Sequence, residues 1–255
     1  MEAQSADAEV IAQALAAAYS LPNPMVDPDF SAPADLAEAA AVQAAVAKKL
    51  DARVAGWKVG YTPEGVPVAA PIFDRFLKPS GAHFPMRNAA VWGVEPEIAF
   101  RLGADLPRRI VQLYTREEIL SAIDAVLVGI EIVASRIIDH KSASFLFFLA
   151  DNIGHAGYAI GSDQRQWQDL DLPNLRAILT VNGQLVHDAK GGHPAGDPLK
   201  PLIDYANAQS DRLGGLRAGQ IITTGSLCGL IPVEGPGEVM AAIDRIGEAR
   251  LYIHG

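Results

Sequence analysis

Apolar residues recur at helical spacing near the start of the chain. Over 6–19 the positions Val10, Ile11, Ala14, Leu15 and Ala18 fall on one side of a helix, which predicts an amphipathic segment. Leu21 to Pro33 carries four prolines and predicts an extended connector. A second alanine-rich helix is predicted over 34–50. Its start signals are Ser31 as a candidate cap, Pro33 in the first turn and Asp35 near the positive end of the dipole. Lys48 and Lys49 complement the other end.

From residue 53 the pattern shortens. Val54-Ala-Gly-Trp-Lys-Val59 is apolar and glycine-flanked, like a buried strand. Residues 62–87 are rich in Pro and Gly and predict a long functional loop. Asn88 to Leu102 predicts a strand interrupted by Pro96. Thr115 and Glu118 form a capping box that opens a helix. Ala125 to Val133 is continuous and β-branched, which predicts a central strand. Arg176 to Val186 predicts a hairpin around Asn182-Gly183. A helix is expected from Pro198 to Leu213, then short strands to the end. The sum is an α+β chain: a helical N-terminal segment, 1–52, and a β-rich catalytic body, 53–255, with a rolled or barrel-like sheet.

Composition narrows the partners. The chain has 255 residues, 49% hydrophobic and 20% charged, enough for a sizeable core. Its formal net charge of -9 repels phosphate backbones and anionic lipid, so nucleic acid and membrane surfaces are not expected as partners. A small anionic substrate remains compatible if a bound cation inverts the local field. The single cysteine, Cys228, permits no intrachain disulfide and fits a cytoplasmic location; its apolar surroundings argue for a core residue rather than a thiol catalyst. The N-terminus lacks the charge pattern of a signal peptide, and no apolar stretch reaches membrane-span length.

The most informative residues are Glu95, Glu97 and Glu131. Side chains at i and i+2 of a strand share a face, so Glu95 and Glu97 are like-charged neighbours. Glu131 is the one charge in Ala125-Val-Leu-Val-Gly-Ile-Glu-Ile-Val133, and a buried carboxylate needs a partner. A hard divalent cation, Mg²⁺ or Mn²⁺, would satisfy all three. The alternatives are a solvated edge strand for Glu95 and Glu97, which Pro96 suits, and a salt bridge from Glu131 to a core arginine such as Arg136.

Lys58, between Gly56 and Gly60, either snorkels to solvent or is placed for use. Asp151-Asn-Ile-Gly-His155 reads as a turn or as a polar site cluster. Thr223-Thr-Gly-Ser226 follows an apolar pair and can hold a carboxylate at a strand end, or make an ordinary turn. His193, in Lys190-Gly-Gly-His-Pro194, lies in what reads as a mobile loop. No nucleotide-binding or serine-hydrolase motif is present.

Taken in order, these segments resemble the 2-keto-4-pentenoate hydratase/4-oxalocrotonate decarboxylase family, within the fumarylacetoacetate hydrolase superfamily. The residues carrying the resemblance are Ala39-Ala-Ala-Val-Gln43, Gly56-Trp-Lys-Val-Gly-Tyr-Thr62, Glu95-Pro-Glu-Ile-Ala-Phe100 and Gly129-Ile-Glu-Ile-Val-Ala-Ser-Arg136. Asp151-Asn152, Gly191-Gly-His-Pro194 with Pro198-Leu199, and Gly219-Gln-Ile-Ile-Thr-Thr-Gly225 follow. The resemblance implies a β-roll body, a homo-oligomer that associates with a pathway enzyme, and Glu95, Glu97 and Glu131 as ligands of Mg²⁺ or Mn²⁺. It implies Lys58, Asp151 and Asn152 in catalysis. Thr224, Gly225, Ser226 and His155 are expected at the substrate. The implied reaction is hydration of a 2-hydroxy-2,4-dienoate to a 4-hydroxy-2-oxo acid. Decarboxylation of a 4-oxalocrotonate-type diacid, C–C hydrolysis of an acylpyruvate, and a non-catalytic partner subunit are the alternatives.

Two departures bear on the substrate. Many family members have an acidic pair where Phe73-Asp-Arg-Phe-Leu-Lys-Pro-Ser-Gly81 offers only Asp74, and many have serine at Gly154 or His155. A diacid would want an added cation, for which Arg75, Lys78 and His155 are candidates. Acylpyruvate hydrolysis would want a histidine near the N-terminus, where the first third offers only His83.

Overall fold

The computed structural model describes residues 6–21, 26–27, 32–87, 92–138 and 142–255; the counts below are of these residues. Two helices lead, α1 (Ala6–Ala18) and α2 (Leu36–Lys49). Asp35, rather than Ser31, caps α2 by accepting from the Glu38 N–H; Ser31 lies outside the described residues.

Then come β1 (Val54–Tyr61), β2 (Pro67–Phe73), β3 (Leu77–Pro79), β4 (Ala82–Pro85) and β5 (Trp92–Leu102). Helix α3 (Arg116–Ala122) is opened by the expected Thr115–Glu118 capping box and runs into β6 (Ile123–Ala134). After α4 (Phe145–Ala150) and β7 (His155–Gln164), the hairpin of β8 (Arg176–Val181) and β9 (Gln184–Lys190) turns through Asn182 and Gly183, both at positive φ. Helix α5 (Lys200–Ala208) precedes β10 (Ile221–Ser226), β11 (Ile231–Pro232), β12 (Gly237–Ile243) and β13 (Gly247–His254).

Three expectations change. The segment 62–87 is mostly strand, not loop. Its prolines fit because β2 is an edge strand, where a missing N–H leaves no ladder bond unmade. Pro96 does not interrupt β5 or mark an edge. It lies in the sheet interior, past the register shift between Thr223 and Ser226, and its carbonyl accepts from the Leu227 N–H just beyond the end of β10, so its missing N–H falls where that ladder has ended. Helix α5 ends at Ala208 instead of reaching Leu213, because the Asp211 side chain accepts from the Leu213 and Gly215 N–H groups and offers the backbone a turn. Asn88, the expected start of β5, lies outside the described residues.

The larger sheet has the order β2-β1-β10-β5-β6-β7-β3, with β11 beside β5; the smaller is β4-β13-β12-β8-β9. Both are mixed, with β1–β10, β3–β7 and β4–β13 parallel. The chain is thus a mixed α+β fold of curled sheet with few helices. The main core lies between the sheets and includes Ile98, Phe100, Val128, Ile130, Leu179 and Leu251. The sheets approach closely at Gly161: a Cβ there would strike the Glu248 carbonyl oxygen and Ala249. A second core joins α1 and α2 to Val68, Phe73, Phe147 and Leu149. There Gln43, buried, donates to the Leu149 and Ala69 carbonyls at 2.8 and 3.2 Å and ties α2 to α4 and β2. No described helix is long and apolar enough to cross a membrane.

Candidate functional site

Sheet register assembles the carboxylates. Glu95 on β5 sits directly opposite Glu131 on β6, and Glu97, two residues on, shares its face. One oxygen from each of the three lies within 4.8 Å of the others. Glu97 and Glu131 are buried. The cluster is where a like-charge trio would be least stable without a counter-ion. Burial, then Glu131, pushes the Glu95 carboxyl up to about 7 against the opposing pull of Lys58. Burial, Glu131 and Glu95 push Glu97 well above the usual carboxylate range. Glu131 is lowered: burial alone would raise it, but the Lys58 ammonium and the His155 hydrogen bond prevail.

Lys58 reaches the cluster from β1. Its Nζ lies 2.9 Å from Glu131 Oε1 and donates to the Ile153 carbonyl at 3.0 Å. The partner of Glu131 is therefore Lys58 and not Arg136, the core arginine weighed from the sequence. Arg136 is bonded instead to Asp151, through Nε and its own backbone N–H, and donates to the carbonyls of His155 and Asp151. Glu131 Oε1 also accepts from His155 Nδ1 at 2.9 Å. Since a carboxylate only accepts, that ring proton sits on Nδ1. The other oxygen, Glu131 Oε2, is buried without a hydrogen-bond partner. An orphaned buried carboxylate oxygen beside two further carboxylates is the donor set that a hard divalent cation fits.

The segment after α4 is bent to serve this arrangement. Asn152, Ile153 and Gly154 all have positive φ, at 53°, 50° and 67°. For β-branched Ile153 this is a strained conformation, costing about 1–3 kcal/mol. It places the Ile153 carbonyl against Lys58. A buried polar network holds the bend: Asp151 accepts from Arg136 and Ser135, Asn152 Nδ2 donates to the Tyr19 hydroxyl at 2.7 Å, and the Arg136 guanidinium covers the Tyr19 ring at 4.2 Å.

Above the glutamates opens a cavity of about 600 Å³. Lys58, Glu95 and Glu97 form its floor, joined by Thr223, Thr224, Gly225 and Ser226. The Thr223 hydroxyl donates to Glu97. His193 Nδ1 accepts from the Ala195 N–H at 3.2 Å, so the proton of its neutral ring sits on Nε2, 3.3 Å from Thr224 Oγ1. Burial lowers the His193 pKa and favours that neutral form. Thr224, accepting from His193, keeps its own proton for the cavity. The Ser226 hydroxyl is spent on the Gly229 carbonyl at 2.9 Å.

The structure therefore brings Lys58, Glu95, Glu97, Glu131, Thr224, Gly225 and Ser226 together. Asp151, Asn152 and His155 do not line the cavity; Ile153, in the turn they flank, does. His155 is fully buried and bonded to the Glu131 carboxylate. Arg75 and Lys78 line a separate, smaller cavity, and His83 is exposed, stacked on Tyr252. Sequence reasoning missed Tyr61, Lys200 and Asp204 at the rim, and Gln43 behind it. Tyr61 and Gln43 lie within segments that carried the resemblance, a signal that could have raised them; Lys200 and Asp204 gave none.

Residues 42–252 match the fumarylacetoacetate (FAA) hydrolase C-terminal family. The chain belongs to that family. Within it, the chain is 33% identical over 211 residues to 2-keto-4-pentenoate hydratase of Paraburkholderia xenovorans (strain LB400), covering 79% of this chain and 76% of the relative. It is 28% identical over 213 residues to 4-oxalocrotonate decarboxylase of Pseudomonas sp. (strain CF600), covering 79% of each. The fold matches that of 4-oxalocrotonate decarboxylase from Pseudomonas putida G7, solved with magnesium and adipate. The TM-score is 0.81 at 21% identity, over 96% of this chain and 97% of that one. The FAA hydrolase fold expected from the sequence is therefore the one observed.

Proposed function

We propose that this FAA hydrolase family member is a divalent-metal-dependent lyase that hydrates a 2-hydroxy-2,4-dienoate to a 4-hydroxy-2-oxo acid. One observation carries the reading: Glu95 and Glu97 line a cavity together with Lys58, and buried Glu131, one of whose oxygens is orphaned, completes their cluster. The 33% identical hydratase supports the reaction class.

Glu95, Glu97 and Glu131 would hold Mg²⁺ or Mn²⁺. When bound, such an ion supplies Lewis-acid polarisation to the carboxylate and 2-oxygen of a 2-oxo acid. Lys58 anchors the substrate carboxylate: an ammonium has three donors, and two are already placed on Glu131 and Ile153. Thr224 offers its hydroxyl proton to the same end of the substrate, or to the water that adds at C4. The apolar walls keep other water from the reacting carbons. Asp151, Asn152 and His155 act through others. The first two set the turn that presents Ile153 to Lys58, and His155 orients Glu131. Residues 1–52 serve the body 53–255 as a helical cover, through Tyr19 and Gln43.

Decarboxylation of a 4-oxalocrotonate-type diacid is the second reading, favoured by the 28% identical decarboxylase. Among the described residues it lacks an unpaired cation for the second carboxylate, since Arg75 and Lys78 line a different cavity and Lys200 is paired with Asp204. A homo-oligomeric, cytoplasmic enzyme completes the proposal; light scattering on the purified chain tests the first and fractionation of the host cell the second.

The deciding experiment is proton NMR of the Mg²⁺-loaded protein with fresh 2-hydroxypenta-2,4-dienoate. The expected product is 4-hydroxy-2-oxopentanoate, abolished by EDTA. A dienoate that only ketonises would overturn the hydratase reading.

A further inference from the structure

The cavity is larger than its chemistry requires. At about 600 Å³ it sits mid-way in the range of about 300–1,000 Å³ for pockets that enclose drug-sized ligands. A five-carbon acid held at the glutamates fills only the floor. The walls beyond are Val59, Phe145, Ile153, Pro194, Ala195 and Pro201, all apolar.

Among the described residues one further cation lines the cavity, Lys200 at the start of α5, and it is paired with Asp204. Its Nζ is bonded to Asp204, one helical turn on, and donates to the Tyr61 hydroxyl at 3.2 Å, while lying 5.1 Å from the centre of the Tyr61 ring. Tyr61 in turn donates to Asp204 at 2.7 Å. Both Tyr61 and Lys200 line the cavity; Asp204 stands behind them. Burial would raise the Asp204 carboxyl, but the hydrogen bonds from Lys200 and Tyr61 and the Lys200 charge hold it below the usual range, and the hydrogen bond to Asp204 holds Lys200 above its own. The rim therefore presents a neutral, hydrogen-bonded triad to whatever extends past the glutamates.

We propose that this site, on the hydratase reading above, selects substrates with an extended apolar tail, and that Asp204 is the positioning residue that excludes a second carboxylate by pinning and neutralising Lys200. A tail methylene that leaves water for these walls gains roughly fourfold in affinity. Among the described residues a tail carboxylate meets no cation that is not already paired, and it loses hydration. Removing the charge of Asp204 frees Lys200 to pair with it.

The test is calorimetric titration of the Mg²⁺-loaded protein with unreactive 2-oxo acids, so that binding is read apart from turnover. Affinity for 2-oxooctanoate is expected at least about tenfold above that for 2-oxopentanoate. Of two acids of equal length, 2-oxohexanoate is expected to bind tighter than 2-oxohexanedioate. Asp204→Asn is expected to tighten the diacid by about three- to fivefold relative to the monoacid, as one added contact charge near water would. That gain should vanish in the Asp204→Asn/Lys200→Met double variant and shrink in high salt, which a merely structural loosening would not reproduce. Affinity independent of tail length, or a diacid-to-monoacid ratio unmoved by Asp204→Asn, overturns the inference. If the tail preference appears but no dienoate is hydrated, the hydratase reading fails and the tail subsite stands; the reverse result removes the subsite and leaves the hydratase.

Discussion

Lys58 Nζ and Glu131 Oε1 lie 2.9 Å apart, both side chains almost wholly withdrawn from solvent. A buried pair of this kind is strongly destabilising to break, by about 3–5 kcal/mol, because the partner left behind is an unpaired charge. Here the charge left by removing Lys58 would be that of Glu131, buried beside Glu95 and Glu97. The lysine therefore stabilises the metal-free site as well as facing the substrate.

Lys58→Met is expected to lower the melting temperature of the metal-free protein markedly. Mg²⁺ should restore most of the loss, since the ion replaces the missing positive charge. Activity should not return. Loss of a charged hydrogen bond to substrate, about 1.5–3 kcal/mol, predicts a fall in kcat/KM of about 10- to 150-fold. Thermal melts with and without Mg²⁺, beside initial rates, check both parts.

Glu131→Ala should abolish Mg²⁺ binding and turnover together, because Glu131 carries the orphaned oxygen and is the partner of Lys58 and His155. Calorimetry reads the first and the dienoate assay the second. A variant with wild-type activity would remove the metal assignment.

Metal affinity should rise with pH. Glu95 titrates at about 7 in the folded metal-free protein, above its ordinary value of 4.5 in an unfolded chain. Folding without metal therefore favours the protonated carboxyl. This contribution to stability is complete below the ordinary carboxylate range and is lost as pH climbs through about 7. The metal takes the ionised form, so binding expels protons in that window. Mg²⁺ should raise the melting temperature more at pH 8 than at pH 6. Titrations in buffers of different ionisation enthalpy should count the protons released.

Asp151→Asn should act on stability first. It removes the charge facing buried Arg136, at a cost of about 3–5 kcal/mol. If Asp151 positions the turn, the shape of the pH–rate profile stays that of the wild type while the rate falls. A profile that loses a limb would instead assign Asp151 a proton-transfer role. Urea unfolding and a pH series of kcat/KM separate the two.

Gly161→Val tests the packing of the sheets. Its side chain would strike the Glu248 carbonyl and Ala249, and overpacking of this kind costs about 1–3 kcal/mol. The urea midpoint should fall while Mg²⁺ affinity, set on another part of the larger sheet, changes little.

The sequence by itself determined the local elements and the chemistry of the floor. Thr115 with Glu118, and Asn182-Gly183, are signals read over two to four residues, and each stands in the structure as a cap or turn; the cap of α2 shifted from Ser31 to Asp35. Glu131 was legible because one charge in a β-branched run needs a partner wherever the run is placed. What the sequence left open was which partner. Lys58 lies 73 positions away and Arg136 only five, yet Lys58 reaches Glu131, because β1 and β6 are carried in one sheet by β10 and β5 between them. The strands hidden in 62–87 and the interior place of Pro96 were undecidable for the same reason, since a proline's cost depends on whether a neighbouring strand asks for its N–H. Tertiary structure alone separated His155 and Asp151 from the cavity and brought Tyr61 from β1 against Lys200 and Asp204 on α5. Residue type and spacing state what a group needs; only the packed sheets and helices decide which distant group meets that need.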